Sequence, residues 1–285
     1  MIRIKTVRMF VTVVAVCLCM LAGLTAYAEK DEKEKDSSDC KGLPSYAALK
    51  SALDAAVMAE ASGFNLHMWG AVVNRDGIVC AVAFSGTDRG AQWPGSRVIS
   101  AQKANTANSF SLDKSSSSSG SGAANGLALS TANLYSAAQP GSSLFGLQFS
   151  NPVETNNAYD GPSQNYGKAN DPMVGGKIGG VNVFGGGLAL YATGQKIAGA
   201  VGVSGDTSCS DHYIAWRVRH QLGFDHMQGL PGPASLFAGD ATHPDNIIFD
   251  ITANPSGGTG NSASGFGHAH CFGDTPSSPL PAVVL

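Results

Sequence analysis

Several signatures that would name a chemistry outright are missing from this chain. It has no Gly-x-x-x-x-Gly-Lys-Ser/Thr and no Gly-x-Gly-x-x-Gly, so neither a phosphate-cradling loop nor a dinucleotide turn is written into it. Gly202-Val203-Ser204-Gly205 carries part of a nucleophile elbow, but Asp206 stands where the closing glycine belongs. These absences lower the NTPase, dehydrogenase and hydrolase readings together. No Cys-x-x-Cys-His is present, which excludes covalent c-type haem. No internal repeat is visible. Basic charge is also short, with 18 Lys+Arg against 21 Asp+Glu in 285 residues. Such a chain lacks the positive field of a nucleic-acid binder.

The N-terminus supplies an address. Arg3, Lys5 and Arg8 precede an apolar run from Met9 to Leu24, and Ala26-Tyr27-Ala28 offers a small-x-small cleavage site. The run is short for the ~20 residues of a spanning helix. Residues 1–28 therefore read as a cleaved signal peptide, which predicts a periplasmic or secreted protein with no stable membrane anchor. Cleavage leaves 15 basic and 21 acidic residues, a mature net charge of −6. Cys40, Cys80, Cys209 and Cys271 remain, an even number in an exported chain, which suggests two disulfides with three pairings open. Metal ligation is the rival, although no two of them stand at a zinc-knuckle spacing.

Residues 29–42 are mostly polar and charged and read as a solvated tether. A domain then runs over 43–222, an ordinary size for one core. Leu43 to Ser62 is predicted helical, with Leu49, Leu53 and Ala56 on its apolar face. Leu66 to Val73 alternates, Asp76-Gly77 signals a hairpin, and Ile78 to Phe84 returns. Ser96 can cap a second helix over Arg97 to Phe110. A serine-rich insert (114–124) and a long Asn-, Pro- and Gly-rich loop (151–176) interrupt the domain. Ile178 to Phe184, Leu188 to Tyr191 and Ile197 to Ser204 read as further strands between glycine turns. A helix follows from Ser208, with Ala215, Val218 and Leu222 as the stripe that lies on a sheet. Gly199 and Gly202 leave the last strand bare, so either a helix or a ligand packs close to its backbone. Residues 223–285 read as a Gly- and Pro-rich tail whose run Ile247 to Ile251 is predicted to add or cover a sheet edge.

Three blocks together resemble the GlcG/HbpS-like family, which includes the C-terminal domain of PduO-type proteins. They are Ser100-Ala-Gln-Lys103-Ala-Asn-Thr106-Ala, Ile178-Gly-Gly-Val-Asn-Val-Phe184 and Gly199-Ala-Val-Gly-Val-Ser-Gly205. The resemblance implies an α+β, profilin-like fold: a five-stranded antiparallel sheet with flanking helices, often assembled as a homo-oligomer. It implies haem binding for some members. In a profilin-like sheet with its first and last strands parallel, Cys80 would lie near Cys209, leaving Cys40 with Cys271.

A haem site needs an apolar slot, an axial donor and cations for the propionates. His212 is the candidate axial ligand, with Trp216 and Arg219 on following turns of the same helix. Arg97 and Lys103 are candidate anion partners, and Thr106 a hydroxyl on the same helix. Each also has a structural reading, as a helix-end, paired or sheet-covering residue. His268-x-His270-Cys271 is a soft-ligand cluster that leaves copper or zinc open. Three functional classes follow: an exported domain binding haem or a similar tetrapyrrole, an enzyme on a small acid or tetrapyrrole using Asp211/His212 or Asp88/Arg89, and an assembly module with Trp69 and Trp93 at subunit contacts. The first is the expectation carried forward.

Overall fold

Ser45 opens the first helix, α1 (Tyr46–Ala59), by accepting the Ala48 amide on its side chain at 3.3 Å. The computed structural model describes residues 37–115 and 125–285. The expected leader (1–28), most of the tether and most of the serine-rich insert lie outside them. Among the described residues no helix is long and apolar enough to cross a membrane.

Asp76-Gly77 joins strands β1 (Trp69–Asn74) and β2 (Val79–Phe84), with Gly77 at φ 77° as the turn requires. Helix α2 spans Ser96–Phe110; Gly95 holds its N-cap and supplies no side-chain bond, so Ser96 is the first helical residue rather than the cap. Strands β3 (Gly187–Ala192) and β4 (Lys196–Ser204) form the second antiparallel pair. Helix α3 (Ser208–Gln221) is capped one residue earlier than expected, by Thr207 accepting from the Ser210 amide.

The sheet has four strands in the order β2-β1-β4-β3, all antiparallel. The expected fifth strand, Ile178 to Phe184, does not form. Gly179 and Gly180 sit at φ 58° and 78°, left-handed backbone that cannot stay in a ladder, and only single bridges at Lys177 and Gly179 survive. The preceding residues instead trim the outer edge of β2, where the Val79 amide donates to Gly176 at 2.9 Å. The outer edge of β3 is covered by residues 224–226, where the Tyr191 amide donates to Phe224 at 2.8 Å. The run Ile247 to Ile251 therefore is not the edge cover; only Ile251–Thr252 pairs, with Asn261–Ser262.

Side chains of β1 alternate as the sequence requires, but both faces are buried. Trp69, Ala71 and Val73 join Ala200 under α2, which meets them with Ala101, Ala104 and Ala107. Val72, Val201 and Val203 pack against Leu49 and Leu53 of α1 and Ile214, Ala215 and Val218 of α3. Trp69 stacks on Phe84 in this core and is 1% exposed, which removes it from any subunit surface.

The bare positions of β4 are explained by protein, not ligand. A Cβ on Gly202 would stand 1.9 Å from the Ser100 carbonyl and 2.6 Å from the Ala104 amide, so α2 rests backbone against backbone there. At Gly199 the neighbour is the Val73 carbonyl of β1, at 2.1 Å. Neither contact involves the helix that follows the strand.

The disulfides are Cys40–Cys80 and Cys209–Cys271, which corrects the Cys80–Cys209 and Cys40–Cys271 pairing. The reason is strand direction. β1 does lie beside β4, but antiparallel, with Trp69 facing Ser204 and Val73 facing Ala200. Cys80 is the second residue of β2, at the Val73 end of the sheet, whereas Cys209 lies beyond Ser204 at the other end. Peptide mapping of the non-reduced protein is expected to recover the 40–80 and 209–271 links; an 80–209 link would overturn this topology. Gly202→Ala is expected to cost about 3 kcal/mol, because helix backbone cannot yield as a side chain does. Gly95→Ala, which meets nothing within 4 Å, should shift the denaturation midpoint by no more than ordinary surface scatter.

Candidate functional site

The starts of α2 and α3 and the end of β4 enclose an open cleft of about 320 Å³. Trp93, just before α2, and Phe184, just before the glycine triplet, line it and are 51% and 43% exposed. Ile99 adds apolar wall; Lys103, Ser208 and Asp211 supply the polar groups.

Lys103 and Asp211 form a buried ion pair, Nζ to Oδ2 at 2.6 Å. Lys103 Nζ also donates to the Val203 carbonyl at 3.2 Å, which leaves one of its three N–H bonds without a partner among the described residues. Asp211 Oδ1 accepts the Gly205 and Asp206 amides at 3.0 and 2.9 Å. Burial opposes both charges: it draws the Lys103 pKa down and pushes Asp211 up to about 6, while each partner pulls the other back. Three backbone groups close on this pair, the Val203 carbonyl on Lys103 and the Gly205 and Asp206 amides on Asp211.

Gly185-Gly186-Gly187 exists to let this pair form. A Cβ on Gly185 would meet the Ser208 carbonyl at 2.3 Å, one on Gly186 the Val203 carbonyl at 2.4 Å, and one on Gly187 the Lys103 carbonyl at 2.4 Å. Gly186 also sits at φ 113°. Side chains here would displace α3 at Ser208, β4 at Val203 and α2 at Lys103.

Of the residues named from sequence, the structure brings Lys103 to the cleft and places the other five elsewhere, each against polypeptide. Arg97 is buried in a two-pronged pair with Asp171, donates to the Ala158 carbonyl at 2.7 Å, and lies over the Tyr166 ring, pinning the 151–176 loop. Thr106 donates to Gln102 and accepts the Asn182 amide at 2.9 Å, anchoring the segment that ends in Phe184. Trp216 donates from Nε1 to Pro281 at 2.9 Å. Arg219 pairs with Asp245 at 2.6 and 2.9 Å, both side chains fully buried. His212 has no exposed surface, and neither ring nitrogen makes a hydrogen bond.

The proposed titratable pairs also separate. Asp211 and His212 are chain neighbours whose side chains diverge, one to the cleft and one to the core. Asp88 and Arg89 are exposed, and Arg89 donates to Ser163. The pair that does form, Lys103–Asp211, was not anticipated, although both residues stand in or beside the quoted blocks.

Burial depresses the His212 pKa to about 3, with Asp245 working against that fall and Arg219 with it. Its ordinary value is 6.5. Between those values the unfolded chain takes a proton that the folded chain refuses, so stability is whole above about 6.5 and is lost as pH drops toward about 3. Asp211, raised in the fold, acts in the opposite sense between its ordinary value and about 6. The melting temperature is expected to fall from about pH 7 to about pH 5, and His212→Leu to flatten that slope. An unchanged slope in the variant would assign the loss to another group.

No curated protein matches this chain. Among solved structures, the ORFY protein of Klebsiella pneumoniae is 24% identical, over 63% of this chain and 90% of that one, with a TM-score of 0.39. The haem complex of PduOC is 19% identical, over 61% of this chain and 89% of that one, with a TM-score of 0.38. Likenesses that distant carry no functional weight. The family described as haem degrading protein HbpS-like matches residues 45–219, from the first residues of α1 to the last turn of α3. With more than half of its length matched, this chain belongs to the HbpS-like family.

Proposed function

We propose that this is an exported binding protein for haem or a closely similar tetrapyrrole, held edge-first in the cleft between Trp93 and Phe184. The observation that carries the reading is the cleft's make-up: flat, exposed aromatic walls closing on a buried cation with a donor to spare. Aromatic faces suit a macrocycle. The Lys103 N–H and the start of α2, whose first turn has no side-chain cap, suit its carboxylates. The family's description as haem degrading points the same way. Export is supported by the basic-then-apolar N-terminus and by two disulfides, which persist in oxidising compartments.

The fit is to the ring and its acids, not to the iron. No imidazole, thiolate or thioether lines the cleft. Haem when bound would bring redox and oxygen chemistry, but no residue here is placed to direct it, and we derive no degradative step. A volume of about 320 Å³ is near the lower end of ligand pockets, which run roughly 300–1,000 Å³. Phe64 and Phe272, which stack on each other beside Trp93 and are themselves exposed, would offer further apolar surface to a ring too large for the cleft. A second copy of the chain is the expected cover for it.

Titration of the mature protein with haemin and with iron-free protoporphyrin tests this. Similar affinity for both is expected, with Trp93→Ala and Phe184→Ala each weakening binding about tenfold, or ~1.4 kcal/mol. Light scattering with haemin present should show a larger assembly than without it. Absence of binding to either ring would defeat the proposal. So would a haemin spectrum lost in His212→Ala but untouched by the two aromatic changes, since that would move the iron to the buried imidazole.

A further inference from the structure

A second cluster lies beyond Ser208, where the C-terminal segment meets the first turn of α3. Cys209 Sγ, Cys271 Sγ and a ring nitrogen of His268 lie within 4.8 Å of one another. Cys209 and His268 are buried, and Cys271 is half-buried. His268 Nδ1 lies 2.7 Å from the Ala269 carbonyl and must donate to it, which leaves the Nε2 lone pair aimed at the cluster. Nε2 is 3.1 Å from Ser208 Oγ, and that hydroxyl is 3.4 Å from Cys271 Sγ. The Cys209 amide donates to Cys271 Sγ at 3.2 Å, so this sulfur rests on the first turn of a helix. Each feature prepares a donor: a histidine with its tautomer set by a backbone carbonyl is the usual arrangement of a metal ligand, and an amide donor at a helix start favours a thiolate.

The other disulfide lacks all of this. Cys80 Sγ meets only the Ile78 carbonyl, and no cluster of possible metal ligands includes Cys40 or Cys80 among the described residues. His270, beside Cys271 in sequence, turns outward to Asp274 and stacks on Phe249. Only one histidine of the tail therefore takes part.

We propose that Cys209–Cys271 is the oxidised form of a copper(I) site, whose ligands after reduction are the two thiolates and His268 Nε2. Reduction by a dithiol breaks the one S–S bond. Two electrons and two protons pass to Cys209 and Cys271, and the reductant leaves as its own disulfide. Copper(I) then displaces the two protons. Three donors, two of them soft, suit copper(I) better than zinc, which in protein sites takes four ligands. This inference does not rest on the tetrapyrrole reading, because none of the three ligands lines the cleft.

The test uses the mature chain, reduced anaerobically with a phosphine that is then removed, and titrated with copper(I) against a competing chelator. One equivalent is expected in the reduced protein and none in the oxidised protein. His268→Gln should weaken binding at least tenfold, and Cys271→Ser should abolish it. Alkylation of the wild type reads the same site without a variant: with copper bound, Cys209 and Cys271 should be shielded while Cys40 and Cys80 react. The proposal is overturned if the reduced protein binds no more copper than the oxidised one, if copper shields Cys40 and Cys80 instead, or if His268→Gln binds as the wild type does. A preference for zinc at these same three ligands would also overturn the assignment to copper(I).

Discussion

The contact between the backbone of α2 and the bare backbone of β4 and β3 sets the geometry of everything else. At Gly202 and Gly187 the helix carbonyls of Ser100 and Lys103 occupy the space of two absent side chains. The helix then meets the sheet with alanines, so it lies close and its longer residues must leave by its flanks and its start. Lys103 leaves from the middle of the helix toward α3, and the glycine triplet lets Asp211 come to meet it. A larger residue at either strand position would lift α2, open the Lys103–Asp211 pair and remove the floor of the cleft. Packing and site are one constraint here.

The domain's other buried cations show what this floor is not. Arg97 with Asp171, Arg217 with Glu60 and Arg219 with Asp245 are each closed in by further carbonyls or aromatic rings. Such pairs gain little net stability over apolar packing, because desolvation offsets their attraction. What they do is hold irregular chain in one place: the 151–176 loop through Asp171, and the 245 and 277–278 segments through Asp245 and around Glu60. Lys103–Asp211 differs in one respect: it lines an open cleft. That position, rather than the presence of charge, is what the proposed binding role rests on.

Local pattern was enough to read most of the scaffold. The alternation of β1, the Asp76-Gly77 turn, the stripe of α3 and the three blocks that resemble the family all depend on neighbours in sequence. What could not be read depends on pairs far apart in the chain. Two left-handed glycines ended the fifth strand, and nothing in Ile178-Gly-Gly-Val distinguishes such glycines from extended ones. Strand direction decided the disulfides, and adjacency of β1 and β4 alone did not settle it. Four of the five candidates placed outside the cleft, all chosen for chemical type, turned out to bond to polypeptide. Their partners, such as Asp171, Asn182, Asp245 and Pro281, lie from 26 to 76 positions away. Lys103 and Asp211 are 108 apart, which is why the pair was invisible although each residue was in view.

The C-terminal segment is the strongest case of this. Its composition reads as a tail, yet α3 is buried almost all round because residues 223–285 wrap its outer side. Trp216, Arg217, Arg219 and Tyr213 all bond to it. The family match ends at residue 219, so these contacts are made by chain outside the matched region. Cys209–Cys271 closes a loop of 62 residues, for which the chain-entropy account gives about 4 kcal/mol of constraint on the unfolded state. In the folded state the same segment is also held by the Asp245 pair, by Ser277 on Glu60 and by the Val284 backbone bonds to Asp225 and Met227. The fold around α3 therefore does not hang on the disulfide alone. Its two sulfurs can part without releasing the chain that presents them, and a pair of cysteines free to change state inside a fixed frame is what a redox-dependent ligand set requires.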